Sequence, residues 1–169
     1  MSSREAVIPV VAARCLAVLF VLAPLALARP AAAADQHAAA CTATDAPAGP
    51  RLAITVTGAR NATGEVVVTL YGADPRAFLE QRIAVAETAI RGTSAQVCFA
   101  LSAPGDYAVS VFHDENRDHV LNRSFLGLPE EGFGFSNDAP VRLGPPSFGD
   151  ARVAVPAAGG SISIRLRYF

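Results

Sequence analysis

The chain has 169 residues, 51% of them hydrophobic and 17% charged, which is room for one domain of ordinary size with a core of its own. Its 14 basic residues are all arginine and face 15 acidic ones, for a net charge of −1. No basic excess exists to hold a phosphate backbone, so no nucleic-acid partner is expected. With 13 Gly, 12 Pro and no Trp, the composition is neither collagenous nor that of a coiled coil.

Arg4 and Arg14 precede an apolar run over residues 15–28, and the small residues 31–34 follow it. This order of charge, apolar stretch and small residues predicts a secretory signal peptide over 1–34, cleaved ahead of Asp35 or, on the same rule, after Ala28. The run is shorter than the roughly 20 residues a spanning helix needs, and Pro24 interrupts it, so the mature chain is not expected to span a membrane. Export to the periplasm or cell exterior follows. Cleavage would remove Cys15 and leave Cys41 and Cys98, an even number in a compartment that permits disulfides. A Cys41–Cys98 bridge would tie a flexible segment, 35–50, to a single domain over 51–169.

From residue 51 the apolar period becomes two. Leu52, Ile54 and Val56 alternate with smaller or polar residues, a turn at 61–64 follows, and 65–71 reads as a second strand. Asp74 and Pro75 offer an N-cap and a first-turn proline, predicting one short helix over 75–81 with Phe78 and Leu79 inward. Strands are expected again at 83–90, 95–101, 106–113, 151–155 and 161–168, with Pro104 and Gly105 closing a hairpin. In 95–101 the apolar set Ala95, Val97, Phe99 and Leu101 turns one way and Cys98 the other. About seven short strands predict an all-β fold, an antiparallel β-sandwich of immunoglobulin-like or transthyretin-like type.

Alternation stops between residues 114 and 149. Loops this long inside compact domains are functional or disordered, and the apolar residues of 121–135 argue for an ordered one. At its start Asp114, Asn116, Asp118, the Val120 carbonyl and Asn122 stand at relative positions 1, 3, 5, 7 and 9, the order in which an EF-hand-like loop wraps Ca²⁺. His119 replaces the usual glycine at position 6 and Phe125 the bidentate glutamate at position 12, so Glu130 or Glu131 would have to complete the shell. The same residues also build an Asx-rich turn bonded to its own backbone. His113 and His119 flank the acidic cluster, as a transition-metal pair would. Further on, glycines 127, 132 and 134 permit turns, while Phe125, Phe133, Phe135 and Phe148 form either a small core or a platform for a ligand, with His113, Ser136 and Asn137 beside them.

Three motifs stand in register: Pro104-Gly-Asp-Tyr-Ala-Val-Ser-Val-Phe-His-Asp-Glu-Asn116, Leu126-Gly-Leu-Pro-Glu-Glu-Gly-Phe-Gly-Phe-Ser-Asn137 and Pro145-Pro-Ser-Phe-Gly-Asp-Ala151. Together they resemble the bacterial exported family named domain of unknown function 2141, over about residues 52–168. Members of that family carry His-Asp-Glu-Asn-x-Asn-x-x-Leu-Asp. Here Asp118 and Asn122 exchange the last Asn and Asp of the pattern. The resemblance implies an exported β-sandwich and brings no activity with it.

The leading functional expectation is a non-enzymatic binding or structural envelope module with residues 114–149 as its working surface. The alternative is a hydrolase-like, metal-dependent enzyme using His113, Asp114 and Glu130 or Glu131 around a cation. Ser136 lacks the Gly-x-Ser-x-Gly setting of a hydrolase nucleophile.

Overall fold

A computed structural model describes residues 49–169; the signal peptide expected over 1–34, nearly all of the 35–50 segment and Cys41 lie outside the described residues. Strands β1 (Arg51–Thr57), β2 (Glu65–Tyr71), β3 (Arg82–Thr88), β4 (Ser94–Ala100), β5 (Gly105–Asp114), β6 (Phe133–Phe135), β7 (Val153–Val155) and β8 (Gly160–Arg165) form two sheets. One has the order β4-β1-β8; the other has the order β3-β2-β5-β6, with β7 paired to the start of β5. The fold is an all-β sandwich. Leu52, Ile54 and Val56 of β1, Val97 and Phe99 of β4, Val66, Val68 and Leu70 of β2, and Val109 and Val111 of β5 are all buried in one core between the sheets. Period-two alternation creates that face, because successive side chains of a strand point to opposite sides.

Five of the six strand pairings are antiparallel. β1 and β8 pair in parallel, from Leu52 opposite Gly160 to Thr57 opposite Arg165. A parallel pair requires a crossover, and here everything from β2 to β7 supplies it. Pro104 and Gly105 do not close a hairpin: they carry the chain from β4 in one sheet to β5 in the other.

The helix expected over 75–81 is a run of turns instead. Asp74 does act as the local cap, its Oδ1 accepting the Arg76 N–H at 2.9 Å. Leu79, however, takes φ 68, in the left-handed region, and no α-helix continues through that conformation. What fixes the segment is Phe78, buried edge-on to Tyr71 (5.3 Å between ring centres) and Phe148 (5.9 Å). The helix that does form is α1 (Phe148–Ala151), opened by a capping box in which Ser147 and Asp150 satisfy each other's backbone N–H. Phe148, Phe78, Tyr71, Ala108, Ala139 and Ala151 make a second small core on the outer side of the larger sheet.

Candidate functional site

β5 places its last two residues on opposite faces. His113 follows Tyr107, Val109 and Val111 on the core side, whereas Asp114 lies on the outer side; both are fully buried. The His113 Nε2 lies 2.7 Å from the Thr63 carbonyl, which can only accept, so Nε2 carries the proton of the neutral ring and Nδ1 accepts from the Tyr168 hydroxyl at 2.7 Å. That hydroxyl in turn accepts the Arg60 N–H at 3.1 Å, and the Arg60 guanidinium lies over the Tyr168 ring at 4.8 Å. Arg60 Nε also donates to Glu115 Oε1 at 2.6 Å. Burial pushes the Glu115 carboxyl up, but the hydrogen bonds from Arg60 and Asn61 and the charge of Arg60 outweigh it and hold the group below the usual glutamate range. Burial raises the Tyr168 phenol, which keeps its proton available for His113. The turn before β2 meets this network at Gly64: with φ +74, it passes so close to the Asp114 carbonyl that a Cβ would fall onto it.

The acidic loop is closed by its own backbone. Asp114 Oδ1 and Asn116 Oδ1 both accept the Asp118 N–H, at 3.2 and 3.1 Å, and Asp114 Oδ2 accepts the His119 N–H at 2.7 Å. Asp118 Oδ1 accepts the Val120 N–H at 2.9 Å, while its Oδ2 takes the side-chain amides of Asn116 and Asn122. These are Asx turns. Glu131, buried, spans the loop from below: its two oxygens accept the Glu115 and Asn122 N–H groups at 2.9 and 3.0 Å. Glu130 is exposed and joins through its backbone N–H to the Asn122 carbonyl. His119 itself takes φ 61, the conformation for which an EF-hand loop uses glycine.

The two histidines do not face a common point. His113 is inside the sandwich end, and His119 lies outside, its Nδ1 at 3.2 Å from Glu87 and 3.7 Å from Glu65. One ligand atom each from Glu65, Asp114 and His119 falls within 4.8 Å of the others. The spacing of 113–122 gave no hint of Glu65 and Glu87; only the register that sets Glu65 opposite Asp114 brings them there.

Between the limbs 121–129 and 141–145 of the long segment, the outer face of β2, β5 and β6 floors a half-open groove of about 590 Å³. Phe133, Phe135 and Phe112 supply aromatic floor, Leu128 and Leu143 the walls. Tyr71 and Ser110 also reach the floor, and their hydroxyls hydrogen-bond each other at 3.2 Å. Of the residues expected in a ligand loop, Phe133 and Phe135 line this groove, while His113, Ser136, Asn137 and Phe148 do not. Ser136 is fully buried, accepting the Val109 N–H at 2.9 Å and donating to the Ala151 carbonyl. Asn137 donates to the Asp150 and Arg152 carbonyls, and Phe148 belongs to the second core. Phe125 is almost wholly exposed. No helix among the described residues is long and apolar enough to cross a membrane.

The family model described as "uncharacterized protein conserved in bacteria", domain of unknown function 2141, matches residues 54–163. The chain belongs to this family. No curated protein and no solved structure matches it. The stretch shared with the domain 2141 family runs from within β1 to within β8, so it contains the acidic loop and both limbs of the groove. Tyr168, which orients His113, and Phe169, which stacks on Phe133 at 5.6 Å, lie beyond the matched residues.

Proposed function

We propose that this chain is an exported, non-enzymatic binding module whose working surface is the groove roofed by the 114–149 segment. The observation that carries the reading is the groove itself. A concave, mainly apolar site of about 590 Å³ lies within the 300–1,000 Å³ or so usual for small-molecule sites, on a sheet that holds its floor rigid. The leader pattern of residues 1–34 supports export. The hydrolase-like alternative loses its support, because His113 and Asp114 are on opposite faces of β5, His113 turned to the core and Asp114 to the outer loop, so the two cannot act on one substrate. An environment-sensitive apolar dye, titrated into the mature protein, tests the reading. Saturable binding that Leu128→Asp weakens at least tenfold, without lowering the melting temperature, is expected; no saturable binding, or binding indifferent to Leu128→Asp, would overturn it.

Ca²⁺ is the ion proposed for the acidic loop. Asp114, Asn116 and Asp118 would hold it with the Val120 carbonyl and Asn122, and Glu131 rather than Glu130 would complete the set, since Glu131 already reaches across the loop. The convergence of the Asp114 and Asn116 oxygens on a single N–H supports this assignment. Its role there is structural, fixing the start of the segment that walls the groove.

The same export argument underlies the proposed Cys41–Cys98 bridge. Cys98 points away from the core on β4, as its alternation with the buried Val97 and Phe99 requires, which suits a bridge to a segment lying over the outer face of that sheet. Cys15 would leave with the leader, so Cys41 is the partner within the mature chain.

A further inference from the structure

Among the side chains lining the groove only two carry charge, and both are arginines: Arg123 on one limb and Arg142 on the other. The chain as a whole has an acidic excess, so a site whose charged side chains are all cationic is set apart from its surroundings. The two differ in how they are held. Arg123 is anchored by Nη1 donating to the Gly127 carbonyl at 3.0 Å, within a turn closed by Ser124 N–H to Leu128 O and Gly127 N–H to Ser124 O, both 2.8 Å. Arg142 is exposed and forms no hydrogen bond or ion pair with the described residues. On the floor, Tyr71 and Ser110 share one hydrogen bond between their hydroxyls, and the rest of what the floor offers an occupant is chiefly aromatic and aliphatic surface.

Resting on the binding reading above, we infer that the groove takes a single-chain carboxylic acid of the fatty-acid class. The acyl chain lies on the Phe112, Phe133 and Phe135 floor, and the carboxylate sits at the mouth with Arg123 and Arg142. The planar guanidinium fork matches a carboxylate, and a partner held in advance, as Arg123 is, loses little freedom on binding. The apolar floor selects for chain length, since each buried methylene is stabilising, and two added methylenes tighten binding roughly tenfold while they still find floor to cover. The free acid is favoured over a lysophospholipid because the lining is mainly apolar apart from the two arginines, so the ester and glycerol of a lysophospholipid would be left with few polar partners.

Isothermal titration of the mature protein with dodecanoate, decanoate, dodecanol and a dodecanoyl lysophosphatidic acid, each below its micelle threshold, tests the inference. Dodecanoate is expected to bind roughly tenfold tighter than decanoate and roughly tenfold tighter than dodecanol. Arg142→Ala should erase most of the preference for the acid over the alcohol, weakening dodecanoate far more than dodecanol. Equal binding of dodecanol and dodecanoate would overturn the head-group assignment while leaving the groove as a binding site. Tighter binding of the lysophospholipid than of the free acid would overturn the choice of occupant. If the apolar dye and all four amphiphiles fail to bind, the binding reading itself falls.

Discussion

Removing one oxygen from Tyr168 should reveal how the end of the sandwich is held. In Tyr168→Phe the ring stays over Arg60, but His113 Nδ1, fully buried, loses the only hydrogen bond it receives. Exchange of the tautomer gives no escape, because moving the proton to Nδ1 would leave the Thr63 carbonyl facing a bare Nε2. The Arg60 N–H, at an exposed position, can turn to water. The cost is therefore that of one unsatisfied buried polar group, about 1–3 kcal/mol. For a domain of this size each kcal/mol moves the melting temperature by about 3–5 °C, so a fall of roughly 3–15 °C is expected. Tyr107→Phe is the control: its hydroxyl donates at 2.7 Å to the carbonyl of the exposed Ala103, which water can serve instead. Urea unfolding of the mature protein, followed by circular dichroism, reads both variants against wild type. A Tyr168→Phe protein as stable as wild type, or less affected than Tyr107→Phe, would refute the assignment of His113 as a ring whose two nitrogens are both bonded.

Acid should act through Glu115: with its folded pKa held below the unfolded value of about 4.3, it adds stability at neutral pH that is lost as pH falls through the folded pKa. Glu115→Gln is accordingly expected to be less stable than wild type at about pH 7, with the gap closing below about pH 4; a constant gap across that range would contradict the pairing with Arg60. Calcium at about ten times its dissociation constant, in the 10⁻⁴–10⁻³ M class of extracellular sites, should add roughly 1.4 kcal/mol and raise the melting temperature by about 4–7 °C over EDTA, an increment lost in Asp118→Ala. Identical melting in calcium and EDTA would leave the Asx turns as the whole of the loop's chemistry. For the Cys41–Cys98 bridge, which closes about 57 residues, Cys41→Ser should cost up to about 4 kcal/mol, and two free thiols titrated in denatured, unreduced protein would exclude the bond.

The strands that form the core were legible because each carries its own alternation: Leu52, Ile54 and Val56 declare a buried face without reference to anything distant. The segment 75–81 misled for the converse reason. Asp74 and Pro75 are sound helix-start signals, but the position of Phe78 is decided by Tyr71 and Phe148, which are contacts a local reading does not contain. β6 was hidden inside a Gly-Phe alternation that reads as loop, and Gly134 is there because a Cβ would meet the Arg165 carbonyl at 2.7 Å. The capping box of Ser147 and Asp150 was a readable signal for α1.

Within the site, the spacing of 114–122 is enough to mark the Asx loop, whereas the backbone hydrogen bonds by which Glu131 closes it depend on the return of the chain and are not readable from spacing. The groove was not legible. Its floor comes from β2, β5 and β6 and its walls from two limbs of one loop, so Thr69, Leu128 and Leu143 become neighbours only through the pairing of strands far apart in sequence. The roles of Arg60 and Tyr168 depend on the same long-range closure.

Binding is assigned to the groove between 121–129 and 141–145. Two-dimensional ¹H–¹⁵N NMR spectra of the mature protein, titrated with dodecanoate, test it most directly. Shifts are expected to concentrate at the amides of Thr69, Ser110, Leu128, Phe135 and Leu143, with Leu52, Val97 and Ile164 in the core undisturbed. Perturbations that map instead to the smaller sheet, or none at saturating ligand, would contradict it.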